Sequence, residues 1–139
     1  MIAYLDTSAL VKLYVAENHS ADVLRAVRRA RQVATCRVAY PEARAALARR
    51  CREGGLDKPG LRRAVVALER DIESFVIVEI GAQLARRAGQ LAEQHALRGF
   101  DAIHLAAALE LGQLLADSPE FFTFDQRQAR AAAAEGFIV

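Results

Sequence analysis

Ile2-Ala3-Tyr4-Leu5-Asp6-Thr7-Ser8-Ala9-Leu10 begins with four apolar residues and then stops abruptly at an acid. A continuous apolar run this short, closed by the turn-forming Asp6-Thr7-Ser8, has the pattern of a buried strand. From Ala9 to about Val15 the apolar residues return at helical spacing, so the chain opens as strand, turn and helix.

The same alternation continues outward. Asn18 and Ser20 each offer a cap for a second helix carrying Val23, Leu24 and Val27 on one face. Val33-Ala34-Thr35-Cys36 is a weak second strand. Pro41-Glu42 opens a helix that Gly54-Gly55 ends, in keeping with proline just inside a helix start and glycine just past its end. Asp57-Lys58-Pro59 starts another, with Leu61, Val65, Leu68 and Ile72 along one stripe. Phe75-Val76-Ile77-Val78 is continuous and β-branched, as expected of a strand buried on both faces. Leu84, Ala88 and Leu91 mark a further helix, and Ala102–Leu111 is apolar almost all round, which predicts a centrally packed helix. Phe121-Phe122-Thr123-Phe124 reads as the fourth strand, Gln126 to Glu135 as the last helix, and Phe137-Ile138-Val139 as an edge strand. Strands separated by helices predict a mostly parallel sheet of four to five strands covered on both faces, in one α/β domain over residues 1–139.

A chain of 139 residues is long enough to bury its own core without disulfides or a structural metal. Cys36 and Cys51 form no Cys-x-x-Cys or Cys/His arrangement, which argues against zinc and for reduced thiols. No basic leader precedes the first apolar run, and no stretch approaches the ~20 apolar residues of a membrane span, so a cytoplasmic location is expected. The net charge of +2 says little about partners. Lys12 and Lys58 are the only lysines, however, and every other basic residue is arginine. That bias suits forked contacts to phosphate and is equally what a GC-rich coding sequence produces.

Asp6 directly follows the first strand and Asp125 the fourth; Glu42 and Asp101 stand at helix starts. Ligands of open α/β sheets collect outside the carboxyl ends of the strands, where all four acids can project. Each alone has a plain structural role as an Asx-turn, an N-cap or a complement to a helix dipole. Together, with no lysine among them, they raise one another's pKa unless a cation intervenes. A donor set of oxygens without Cys or His suits Mg²⁺ or Mn²⁺. Such an ion activates water and holds a phosphate oxygen, the needs of phosphodiester hydrolysis.

Asp6-Thr7-Ser8-Ala9-Leu10 resembles the opening motif of PIN-domain nucleases, particularly the VapC-type toxins of bacterial toxin–antitoxin pairs. Glu42 in Tyr-Pro-Glu-Ala-Arg, Asp101 in Phe-Asp-Ala-Ile-His-Leu-Ala-Ala-Ala and Asp125 in Thr-Phe-Asp match the later acidic positions in order and approximate spacing. Tyr40-Pro41 departs from the small hydroxyl residue that many relatives carry before the glutamate. The resemblance covers essentially the whole chain. It implies a PIN-like three-layer sandwich, Mg²⁺- or Mn²⁺-dependent cleavage of RNA, a small cognate antitoxin and a homodimer. Under it, Asp6 and Asp101 are the principal metal ligands, directly or through water. Glu42 and Asp125 complete the cage, hold a second metal or orient the attacking water, and one ion and two remain open. Thr7 and Thr123 either support neighbouring carboxylates or serve the turn and strand they sit in.

Among the arginines, Arg25, Arg28, Arg29 and Arg31 form one run and Arg44, Arg49, Arg50 and Arg52 another. Arg44 and Arg49 leave the helix that carries Glu42 and are the expected RNA-phosphate contacts. Aromatic residues make up only 6% with no tryptophan, so a stacking platform for bases is not expected. Asp117, before Pro119 and the fourth strand, belongs at the opposite end of the sheet from Asp125. His104 lies one turn after Asp101 and reads as a core histidine; His19 and His95 read as surface. Ser8 lacks a His/Asp relay and is not a nucleophile. Leu10, Leu13, Tyr14, Val23, Leu24 and Val27 are the residues on the first two helices from which an antitoxin groove is expected to be built. The competing functions are a housekeeping PIN-domain nuclease, a PIN-like binding module that has lost catalysis, and a phosphoacceptor receiver domain. The last wants adjacent acids after the first strand, where this chain has Asp6-Thr7.

Overall fold

The opening apolar run forms β1 (Ile2–Leu5), buried at all four positions, in the computed structural model, which describes residues 1–139. Side chains of a strand alternate between faces. Ile2 and Tyr4 therefore enter one core and Ala3 and Leu5 another, on opposite sides of the sheet. The chain continues as α1 (Thr7–Val11), α2 (Ser20–Arg29), β2 (Gln32–Cys36), α3 (Ala39–Arg52), α4 (Lys58–Ile72) and β3 (Val76–Val78). It closes with α5 (Ala82–His95), α6 (Gly99–Leu115), β4 (Glu120–Phe122) and α7 (Gln126–Ala134). Helices α1 to α4 cover the Ala3/Leu5 face through Leu10, Val23, Ala43, Leu47 and Leu68, whereas α5 to α7 cover the other through Leu84, Leu105 and Ala131.

All four strands are parallel, in the order β3-β2-β1-β4. From β1 the chain steps outward through β2 to β3, then crosses back to lay β4 on the far side of β1. The reversal falls between β1 and β4, so the crevice beyond the carboxyl ends of these two strands is where an α/β sheet offers a binding site.

Several local expectations are corrected. α1 is shorter than the apolar spacing suggests, with single-turn bonds carrying the chain on to Val15. Neither Asn18 nor Ser20 is the N-cap of α2. His19 occupies that position with φ 69° and no side-chain capping bond, while the Ser20 hydroxyl donates to the Val15 carbonyl. β3 is an edge strand, only half-buried at Val76 and Ile77, because order along the sheet is a property that the strand's own sequence does not carry. No fifth strand forms: Ile138 lends one carbonyl to the Phe121 amide and Phe137 packs into the core. His95 is half-buried and bonded to Glu135 at 2.7 Å, rather than a free surface residue.

Phe121 in β4 is fully buried, stacked on Tyr4 at 5.3 Å between ring centroids and tilted against Phe137 at 5.7 Å. Phe121→Ala should therefore cost about 3–5 kcal/mol in urea unfolding. Leu114→Ala, at a position 75% exposed, should stay within about 0.5 kcal/mol of wild type.

Candidate active site

The carboxyl end of β1 delivers Asp6 into the crevice. Its amide donates to the Phe122 carbonyl at 3.1 Å, prolonging the β1–β4 ladder by one rung. Its side chain, 3% exposed, caps α1 by accepting from the Ala9 amide at 3.1 Å and accepts from the Ser8 hydroxyl at 2.6 Å. Ser8 in turn accepts from the Phe124 amide at 2.9 Å, which ties the turn after β1 to the segment after β4. Burial pushes the Asp6 carboxyl above its ordinary range, against the opposing pull of His104, Ser8, Thr123 and the Ala9 amide.

β4 ends at Phe122, two residues short of the expected Phe124, and Asp125 follows after Thr123 and Phe124 to cap α7, accepting from the Gln128 amide at 2.9 Å, while its own amide donates to Thr123 Oγ1 at 3.1 Å. Asp101 sits in the first turn of α6. Burial raises its carboxyl, the charges of Asp125 and Asp6 raise it further, and Arg98 and His104 oppose them. The two helix starts are joined by Gln128, whose buried side-chain amide donates to the Asp101 carbonyl at 2.8 Å.

Glu42, in the first turn of α3, accepts from Thr7 Oγ1 at 2.6 Å and lies 3.0 Å from His104 Nε2. Burial alone raises a carboxyl, but the bonds from His104 and Thr7 hold Glu42 below its ordinary value. His104 is 1% exposed, with Nδ1 3.0 Å from the Tyr4 hydroxyl and 3.5 Å from Cys36 Sγ. Burial disfavours its charged form, yet the bonds to Cys36 and Glu42 and the charge of Asp6 push its pKa up to about 10. An imidazolium thus lies beneath the acidic edge. The reading of His104 as a core histidine holds for its burial and misses its contact with Glu42.

A second cation was not singled out in the sequence. The Arg98 guanidinium is 3.7 Å from Asp101 and 3.8 Å from Asp125, with its side chain 81% exposed. Its i,i+3 spacing from Asp101 was the available signal. Arg44 and Arg49 lie elsewhere: Arg44 donates to the Tyr40 hydroxyl at 2.7 Å and faces Glu69, and Arg49 pairs with Glu53 at 2.9 Å. Neither makes a polar contact with the four acids: Arg44, two positions past Glu42, leaves the opposite side of α3, and Arg49 shares the side of Glu42 but stands two turns, about 10 Å, farther along the helix. Asp117 pairs with Arg31, beside the amino end of β1, where the Arg31 amide meets the Met1 carbonyl.

Whether these residues suit a divalent ion turns on their spacing and charge. No three His, Cys, Asp or Glu side chains are grouped closely enough to hold one ion directly. Mg²⁺ does not require that, since it keeps several waters and is held by one or two carboxylates. The elevation of Asp101 by the charges of Asp125 and Asp6 marks a place where added positive charge is favourable. The donor set therefore fits a partly hydrated hard ion and not a dehydrated cage.

The remaining expected feature is a groove. Leu10 and Val23 are buried in the core, whereas Leu13, Leu24 and Val27 line a depression between α2 and the end of α4, closed by Phe75. Tyr14 donates to Asp71 at 3.0 Å beside it.

The chain is 42% identical over 115 residues to Ribonuclease VapC45 of Mycobacterium tuberculosis, covering 80% of this chain and 77% of that protein. Among solved structures it is similar to VapC20 of M. tuberculosis, a Sarcin-Ricin loop cleaving toxin, with TM-score 0.71, 20% identity and coverage of 99% and 97%. It is similar also to a toxin–antitoxin complex from Klebsiella pneumoniae, with TM-score 0.63, 21% identity and coverage of 91% and 88%. The PIN domain family matches residues 3–134, and the chain belongs to that family.

Proposed function

We propose that this protein is an endoribonuclease toxin of a toxin–antitoxin pair, hydrolysing RNA phosphodiester bonds with Mg²⁺ or Mn²⁺ at the edge formed by Asp6, Asp101 and Asp125. The observation that carries the reading is that Asp6 and Asp125 follow two adjacent parallel strands at the same end of the sheet and that the charges of both raise Asp101. The 42% identity to a named ribonuclease supports the same chemistry. A bound divalent ion supplies Lewis-acid polarisation of a phosphate oxygen and lowers the pKa of its water.

The protein's own groups divide the remaining work. Asp6, rigidly held by Ser8 and Ala9, and Asp101 provide the principal carboxylates, and Asp125 stands beside Asp101 to complete the set. Glu42 is committed to Thr7 and His104, which fixes its orientation and suits it to orienting the attacking water. Arg98, exposed between Asp101 and Asp125, is placed to meet the anionic strand. The antitoxin is assigned to the Leu13/Leu24/Val27 groove, whose apolar residues flanked by Arg31, Arg70 and Asp71 suit an amphipathic helix. A homodimer is part of the same reading and rests on kinship.

Asp6→Asn and Asp101→Asn should each lower Mn²⁺-dependent cleavage of a fluorogenic RNA by at least about 100-fold. Asparagine caps α1 at position 6 as well as aspartate does, and the Asp101 side chain makes no capping bond, so the far-UV spectrum and melting should stay close to wild type. EDTA should abolish wild-type cleavage. Full activity in either variant, or in EDTA, rejects the metal-site reading.

Ligating carboxylates must be ionised, and those of Asp6 and Asp101 are raised. Mn²⁺ at 100 times its dissociation constant at neutral pH should stabilise the fold by about 2.7 kcal/mol. At the same Mn²⁺ concentration the thermal shift should shrink on acidification toward pH 5, as protons compete for the two aspartates. An equal shift at both pH values argues against them as ligands.

A further inference from the structure

Phe124 stands immediately before Asp125 with its ring 40% exposed. It is not a loose surface side chain. Its amide is held by Ser8, which also holds Asp6, so the ring is fixed relative to two of the acids. On it lies the imidazole of His19, with ring centroids 5.2 Å apart and planes 23° from parallel. His19 reaches this position through a left-handed backbone (φ 69°) and is steadied by Asp22 at 3.1 Å. Lys12 Nζ adds a cation 4.7 Å from the Phe124 centroid and is itself held by the Asn18 carbonyl at 2.8 Å.

A rare backbone conformation in a non-glycine residue marks a place where the surroundings specify geometry. Here it sets one aromatic ring over another at the rim of an acidic cleft and leaves the His19 side chain 59% exposed. Unstacked RNA bases are recognised by stacking on such rings, and an adjacent cation adds attraction for the strand. We propose that His19 and Phe124 form a nucleobase-stacking subsite that holds an unpaired base of the RNA next to the phosphodiester at Asp6 and Asp125. The subsite rests on the ribonuclease reading above and adds the requirement that the substrate be single-stranded, or looped out, at the cleavage position. Two aromatics placed together thus do locally what the overall scarcity of aromatics argues against.

The test uses a single-stranded oligoribonucleotide carrying 2-aminopurine, with Ca²⁺ replacing Mn²⁺ for binding and Mn²⁺ for cleavage. Wild-type protein should alter the probe's fluorescence through stacking. Phe124→Leu, which keeps bulk and loses the ring, should weaken binding about 10-fold or more and raise KM more than it lowers kcat. Phe124→Tyr should restore both. His19→Asn tolerates the left-handed backbone and should lose part of the fluorescence response while its melting is unchanged. If Phe124→Leu and His19→Asn bind and cleave like an active wild-type enzyme, the subsite is rejected and the nuclease reading stands. If wild-type protein neither binds nor cleaves RNA with Mn²⁺, both fall together.

Discussion

A carboxylate sealed at the end of a central strand is the constraint around which this structure is arranged. β1 is covered on both faces, so the residue that ends it emerges in a place with little water. Burying a charge there is unfavourable unless donors or cations surround it. Asp6 receives an amide and a hydroxyl from its own turn, and Ser8 links that turn to the residues after β4. The bonding that tolerates Asp6 therefore also holds the segment that leads into Asp125.

The acids differ in how their charge is balanced. Glu42 has the His104 imidazolium at 3.0 Å, and Asp101 and Asp125 share Arg98 at 3.7 and 3.8 Å. Asp6 has neutral donors and no ion pair, and burial leaves its carboxyl raised. Positive charge is thus supplied from below by a buried side chain and from the rim by an exposed one, with a deficit between them. On the function proposed above, that deficit is where the divalent ion is held. His104 cannot leave that role easily, since Tyr4 and Cys36 close the other side of its ring.

Much of this was legible because junctions carry strong local signals. A strand that stops at Asp6, and another that stops just before Asp125, fix which end of the sheet each acid occupies, and Asp117 is assigned to the other end by the same logic. The layered α/β class follows from the alternation of runs. Sheet order does not: β3 carries the composition of a central strand and lies at an edge. Helical spacing places His104 on the face of Asp101 without revealing that α3 brings Glu42 to meet it. A helix shared with Glu42 does not bring Arg44 and Arg49 to the acids: Arg44 leaves its opposite side, and Arg49 is two turns farther along its axis. Arg98 lacked a strong pattern, and its role depends on two helix starts converging in space.

The bond from the Phe124 amide to Ser8 spans 116 residues of sequence. During synthesis, a growing chain that has not yet reached β4 exposes the edge of β1 and has no Asp125 to set beside Asp6. The cleft comes into being only when the fourth strand docks. Ribosome-bound intermediates up to that point lack the assembled acidic cleft.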